Sequence, residues 1–151
     1  MLIAGIGNIF LGDDGFGPEV INHVPCPDND TVCVTDYGIR GMHLAYDLMD
    51  GWDGLVLVDA IPTRGAPGTV HVFEADLDTL PATSGLDAHS MDPGAVFASL
   101  TALGGTAPRT VVVGCEVRTV QDGIGLSEPV SAAVPEAVRA VADALAMLRE
   151  G

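Results

Sequence analysis

The feature that most constrains this chain is an alternation of two apolar rhythms. Short runs rich in β-branched residues occur at Leu2 to Ile6, Thr31 to Thr35, Leu55 to Val58, Thr69 to Phe73 and Thr110 to Val113. Between them apolar residues recur at helical spacing. Phe16, Val20 and Val24 follow the first run, and Leu44, Leu48 and Met49 follow the second. Asp92-Pro93 is a helix start, with Asp as N-cap and Pro at the first helical position, leading to Val96, Leu100 and Leu103. Val134, Val138, Val141, Leu145 and Leu148 form the stripe of a last helix, with Pro135 as a kink site near its beginning. Strands apolar at nearly every position are buried on both faces, which requires helices on both sides of the sheet. The expected fold is therefore α/β, a three-layer α/β/α sandwich around a five-stranded, mostly parallel sheet. One strand should be antiparallel. The link from Ile61 to Gly68 is too short for a crossover helix and carries Pro62, Gly65 and Ala66-Pro67-Gly68 as turn residues. The stretch from Glu74 to Met91 has no clear period, and loops of that length in compact domains tend to be functional.

A length of 151 residues fits a single domain, 1–151, and a mean hydropathy of +0.37 supplies ample core material. The six basic residues are all arginines, set against 21 acids, for a net charge of -15. Such a surface repels phosphate backbones, so nucleic acids and anionic membranes are poor partners. The opening Met1-Leu-Ile-Ala-Gly5 lacks a basic n-region, and no apolar stretch reaches the roughly 20 residues of a membrane helix, so a cytoplasmic protein is expected. Cys26, Cys33 and Cys115 form neither an even set nor a CxxC pair, which argues against disulfides or a zinc knuckle. Cys115 closes an apolar run and reads as a small core hydrophobe.

Ligands of open α/β sheets bind at the carboxyl ends of the strands, and three polar residues fall there. Asp14 lies in Gly7-Asn8-Ile9-Phe10-Leu11-Gly12-Asp13-Asp14-Gly15, after the first strand. Asp59 ends the apolar run Leu55 to Val58, where an anion must be compensated. His89 closes the long loop, just before the Asp92-Pro93 helix start. If the first and third strands are neighbours, both carboxylates project from one edge, and Asp59 and His89 are expected on a solvated strand-end surface. Two carboxylates and an imidazole could hold a divalent ion such as nickel or zinc, or could form an acid/base pair with an orienting histidine. The bland readings are an N-cap for Asp13, and equally for Asp14, and a solvated loop histidine for His89. Gly5-Ile6-Gly7 is a weak dinucleotide signal, because Phe10 stands where GxGxxG has its third glycine.

Taken together these residues resemble the hydrogenase maturation endopeptidases. The resemblance rests on Gly5-Ile6-Gly7-Asn8, Asp13-Asp14-Gly15-x-Gly17, Leu57-Val58-Asp59-Ala60, Ala66-Pro67-Gly68, His89 before a helix, and Gly123-Ile124-Gly125-Leu126-Ser127 before the last helix. It spans nearly the whole chain in order. It implies an endopeptidase that removes the C-terminal extension of a [NiFe]-hydrogenase large-subunit precursor after nickel insertion, with that precursor as its partner. It also implies that Asp14, Asp59 and His89 are the metal-contacting and catalytic residues. No cofactor of the enzyme's own is implied: nickel is presented by the substrate, though other divalent ions could occupy the site. The loop after the second strand commonly reads Asp-Gly-Gly-Thr in that family. Here Asp36, Gly38 and Gly41 keep the pattern while Tyr37 and Arg40 depart from it, and Arg40 could instead meet an acidic patch on the substrate. Two mechanisms stay open, a Lewis-acid metal with bound water and an aspartic-type pair sharing a proton. The rival functions are a nickel-sensing chaperone without catalysis and a nucleotide-binding domain. A monomer is expected.

Overall fold

The computed structural model describes residues 1–26, 31–75 and 93–150. Its elements are β1 (Leu2–Ile6), a 3₁₀ helix (Gly12–Gly15), α1 (Phe16–His23), β2 (Cys33–Gly38), α2 (Gly41–Leu48), β3 (Gly54–Ile61), β4 (Val70–Ala75), α3 (Pro93–Ala102), β5 (Arg109–Glu116) and α4 (Glu128–Glu150). The strands form one sheet in the order β2-β1-β3-β5-β4. Only β4 is antiparallel, running against β5, as the short Ile61 to Gly68 link requires. Helices cover both faces, so the expected α/β/α architecture holds. Among the described residues no helix is long and apolar enough to cross a membrane.

Alternation along the strands divides the core into two halves. Ile3, Val56, Val58, Val111 and Val113 pack under α1 and α4. Leu2, Ala4, Ile6, Leu55, Leu57 and Val112 pack under α2 and α3 on the other face. Because neighbouring strand side chains point to opposite faces, a sheet covered on both sides needs apolar residues at consecutive positions. That is why the runs are uninterrupted.

Four strands differ from the sequence expectation, each for a pairing reason, and one of them is β4, which takes in Glu74 and Ala75 because they pair with Val111 and Thr110. β2 begins at Cys33 and runs on to Gly38, because Leu2 to Gly5 pair with Cys33 to Asp36 and a bulge carries Ile6 to Gly38. β3 and β5 outlast their apolar runs because they pair along their whole length, through Asp59 with Gly114 to Ile61 with Glu116. Met49 and Leu103, assigned to helical stripes by spacing, fall just past the ends of α2 and α3 and are exposed. The Asp92 cap lies outside the described residues; Pro93 does open α3. Pro135 lies within α4, which starts earlier than its apolar stripe suggested, at Glu128.

Candidate active site at the carboxyl edge

The edge is built by a close approach of α1 to the sheet. A Cβ on Gly17 would meet the carbonyl oxygens of Ile6 and Val58, and a Cβ on Gly5 would meet that of Gly17. Glycine at these two positions lets the start of α1 press directly on β1 and β3. The loop from Gly7 to Leu11 then folds back over the edge. Gly7 takes a positive φ of 144°, where a Cβ would collide with the Asp14 carbonyl, and donates its N–H to Gly38 O at 2.9 Å. Asn8 closes the turn by accepting the Phe10 N–H on its side-chain oxygen at 2.9 Å.

This folding brings the two expected carboxylates to one edge, and it buries them. Asp14 is 4% exposed and accepts the Asn8 N–H at 2.8 Å. Asp59, also 4% exposed, lies inside β3 opposite Gly114, on the face shared by Leu55 and Leu57. The sequence placed Asp59 on a solvated surface at a strand end. Burial follows because β3 continues past Asp59 alongside β5 and because the 3₁₀ helix packs against β3. Neither Asp13 nor Asp14 is an N-cap: the residue before α1 is Gly15, and no side chain caps either short helix. His89 lies outside the described residues. Among the described residues no group of three His, Cys, Asp or Glu is gathered to hold a metal.

Asp13 does something else. Fully buried, it accepts the backbone N–H groups of Arg118, Thr119 and Ser127 at 2.8, 3.0 and 2.6 Å, and the Ser127 hydroxyl at 2.8 Å. Burial alone would raise its pKa, but the donors of Ser127, Thr119 and Arg118 outweigh it and hold the carboxyl below the usual range. The carboxylate thereby fastens the loop between β5 and α4 to the loop after β1. Backbone bonds from Gly12 N to Gly123 O and from Gly123 N to Phe10 O, both 2.9 Å, reinforce the same junction.

The loop after β2 is held from within. Asp36 accepts the Gly38 N–H at 2.9 Å, and Gly38 adopts a φ of 54°. Arg40 donates from Nη2 to Asp36 O at 2.9 Å and from Nε to Tyr37 O at 3.3 Å, bracing its own loop ahead of Gly41, where α2 begins. Tyr37 is a core residue whose hydroxyl donates to Asp47 at 2.6 Å; burial and that carboxylate raise its pKa well above the usual phenol value. Tyr37 thus anchors the loop to α2.

Sequence reasoning missed Glu116. It is 2% exposed at the end of β5 and accepts from Arg64 N at 2.6 Å and Ala66 N at 3.2 Å, with His71 Nε2 at 2.7 Å from its other oxygen. The His71 contact, with the two backbone donors, lowers its pKa. Its signal was present: an acid closing the apolar run Val111 to Cys115, the same pattern that marked Asp59. A cleft of about 830 Å³ opens beside Asp14, between the ends of β3 and β5 and the loop after β1.

Comparison with known proteins gives the chain its family. Residues 22–144 match the family model described as hydrogenase maturation protease. This chain belongs to that family. A Methanocaldococcus jannaschii protein named for hydrogenase maturation is 37% identical over 150 residues, covering 93% of each sequence. The Escherichia coli hydrogenase 2 maturation protease is 29% identical, covering 99% of this chain and 91% of that one. The solved structure of the E. coli hydrogenase maturating endopeptidase HybD superposes with a TM-score of 0.79 at 30% identity, over 99% of this chain and 91% of that one. The protease is thus a maturation endopeptidase, and the hydrogenase large-subunit precursor, cleaved toward its C-terminus, is its substrate.

Cys115 is not the protease's nucleophile. It is fully buried, and burial, helped by the nearby Asp13 and Glu116 charges, pushes its thiol up to about 12. Cys33 pairs with Leu2, at the opposite edge of the sheet.

The Asp13 fastening gives the protease an expected acid sensitivity. Because the folded-state pKa lies below the unfolded value, the stabilisation is complete above about pH 4 and is lost as pH falls through the folded value. Asp13→Ala, which strands buried N–H groups, should cost about 3 kcal/mol at neutral pH. Urea melts at pH 7 and pH 3 read both effects: the gap between wild type and variant should narrow at pH 3. An equal gap at both would show that the carboxylate's charge is not what fastens the loops.

Proposed function

We propose that this protease removes the C-terminal extension of a [NiFe]-hydrogenase large-subunit precursor only after nickel has been inserted, and that Asp14, Asp59 and His89 contact the nickel that the precursor carries. The observation that carries this reading is the burial of two carboxylates at one sheet edge, Asp59 within β3 and Asp14 in the wall of an open cleft. Buried acids are stabilised by a nearby cation or by a shared proton, and a divalent ion brought by the substrate would serve as that cation. His89 enters this reading from the resemblance, as the histidine ahead of the helix that Pro93 opens. Asp59 lies on the sheet face that α3 covers.

The metal belongs to the substrate. Two carboxylates and one imidazole leave coordination positions open, whereas thiolates of the precursor hold nickel more firmly, so the enzyme engages only a metal that is presented to it. Hydrolysis joins the oxygen of a water molecule to the scissile carbonyl carbon and breaks its bond to nitrogen. The carboxylate pair takes a proton from the water and returns it to the departing amine. The products are a mature subunit with a new carboxylate end and a free tail. Asp36, Gly38, Arg40 and Gly41 form the neighbouring loop against which the precursor is read. The protease acts in the cytoplasm as a monomer, with residues 1–151 as one domain and no metal of its own.

Incubation with nickel-loaded and metal-free precursor, followed by mass spectrometry, tests the checkpoint. Cleavage of the loaded form should exceed that of the metal-free form by at least about a hundredfold, as expected when an essential contact is lost. Equal cleavage of both would remove nickel from the recognition step. Binding of the loaded form without cleavage would replace the protease by a nickel-sensing chaperone.

A further inference from the structure

Large apolar side chains stand exposed on the loops that border the cleft, among them Phe10 at 61%, Val120 at 51% and Ile124 at 77%. They are not the tips of loose loops. The bonds from Gly123 N to Phe10 O and Gly12 N to Gly123 O tie their backbones together, and Asp13 N donates to Thr119 O at 2.9 Å. The Asp13 carboxylate fixes the same two loops from below. Exposed apolar groups presented by braced backbone mark an interaction surface, because no local disorder hides them and their ordering has already been completed. The cleft beside them is lined by Leu11, Ala60, Ile61, Pro62 and Val117, with Asp14 in its wall and Asp122 at the same border.

We propose that Phe10, Val120 and Ile124 form an apolar collar that docks the precursor's tail segment next to the scissile bond, with the cleft taking an apolar side chain of that segment. The inference rests on the reading that Asp14 and Asp59 mark the reaction centre. A peptide bond reaches buried carboxylates only if its segment is extended, and an extended segment presents side chains on both sides of that bond. On one side they meet the collar and the cleft. Asp14 and Asp122 repel acidic side chains there, so the segment is apolar and free of acids. A second copy of this chain is disfavoured as occupant, since each copy carries a net charge of -15.

The test is steady-state cleavage of nickel-loaded precursor by Phe10→Asp, Ile124→Asp and their double variant. Ile124→Leu and Phe10→Leu serve as conservative versions, and Met147→Asp as an exposed apolar position on α4, next to Arg109 at the start of β5. The aspartates should raise KM by at least about tenfold with kcat within about threefold, additively in the double variant, while the leucines and Met147→Asp keep wild-type KM. Unchanged KM in the double variant overturns the collar, as does a fall in kcat alone. So does a dimer in sedimentation velocity that the aspartates dissociate. Unfolding of an aspartate variant is checked by its melting curve, and Ile124→Ser and Phe10→Ser then carry the comparison. Failure of the reaction-centre reading looks different: Asp59→Asn would retain activity whatever the collar variants do.

Discussion

Asp59→Asn should reduce cleavage of nickel-loaded precursor by at least about a thousandfold, within the range attributed to a positioned acid or base. The amide keeps the shape of the side chain and removes its charge, so the β3–β5 pairing through Gly114 is undisturbed. Stability should hold or rise. A carboxylate 4% exposed in a central strand is a costly group to keep, and such costs at a reaction centre are commonly relieved by neutral replacements at the expense of activity. Melting temperature and turnover, measured on one preparation, separate the roles. A variant that melts well below wild type would make Asp59 a structural residue, and one that retains activity within tenfold would remove it from the chemistry.

The second large effect is expected at Gly17→Ala, where one methyl group meets two carbonyl oxygens of the central strands. Ile6 O and Val58 O are backbone atoms in the middle of the sheet and cannot swing aside as a side chain would. Relief requires lifting α1, which carries the buried Phe16, Val20 and Ile21. The cost should be about 3 kcal/mol or more. For a chain of this size that lowers the melting temperature by roughly 6 to 12 °C. Gly104→Ala is the matched comparison: its φ of 86° also favours glycine, but nothing lies within 4 Å of a Cβ there. It should lose only about 1 kcal/mol. Equal losses at the two positions would mean that the close approach of α1 is not what requires glycine at Gly17.

The carboxylates and the glycines around them illustrate two kinds of legibility. Asp59 was visible because an anion after four apolar strand residues breaks a local pattern, and Glu116 carries the same mark. Its partners were not visible, since Arg64, Ala66 and His71 reach it across about 50 positions of sequence through the turn between β3 and β4. Asp13 is the clearest case. Locally it is an acid ahead of a helix, and the capping expectation follows from that alone. Its donors come from Arg118, Thr119 and Ser127, more than 100 residues away.

What the sequence determined by itself was everything that depends on periodicity and chain length. The apolar runs with helical stripes between them dictate a sheet covered on both faces. The short Ile61 to Gly68 link dictates the antiparallel strand, and the order of elements carries Asp14 and Asp59 to one edge. Tertiary structure decided whatever depends on which distant segments pair. The span of β2 was set by its register with β1 rather than by the Thr31 to Thr35 run, because an edge strand that is half exposed has little apolar pattern of its own. Burial of Asp14 and Asp59, the fastening by Asp13, and the exposure of Phe10 and Ile124 beside the cleft follow from loops crossing the sheet edge. Loop residues answer to long-range hydrogen bonds, and neither propensity nor periodicity encodes those.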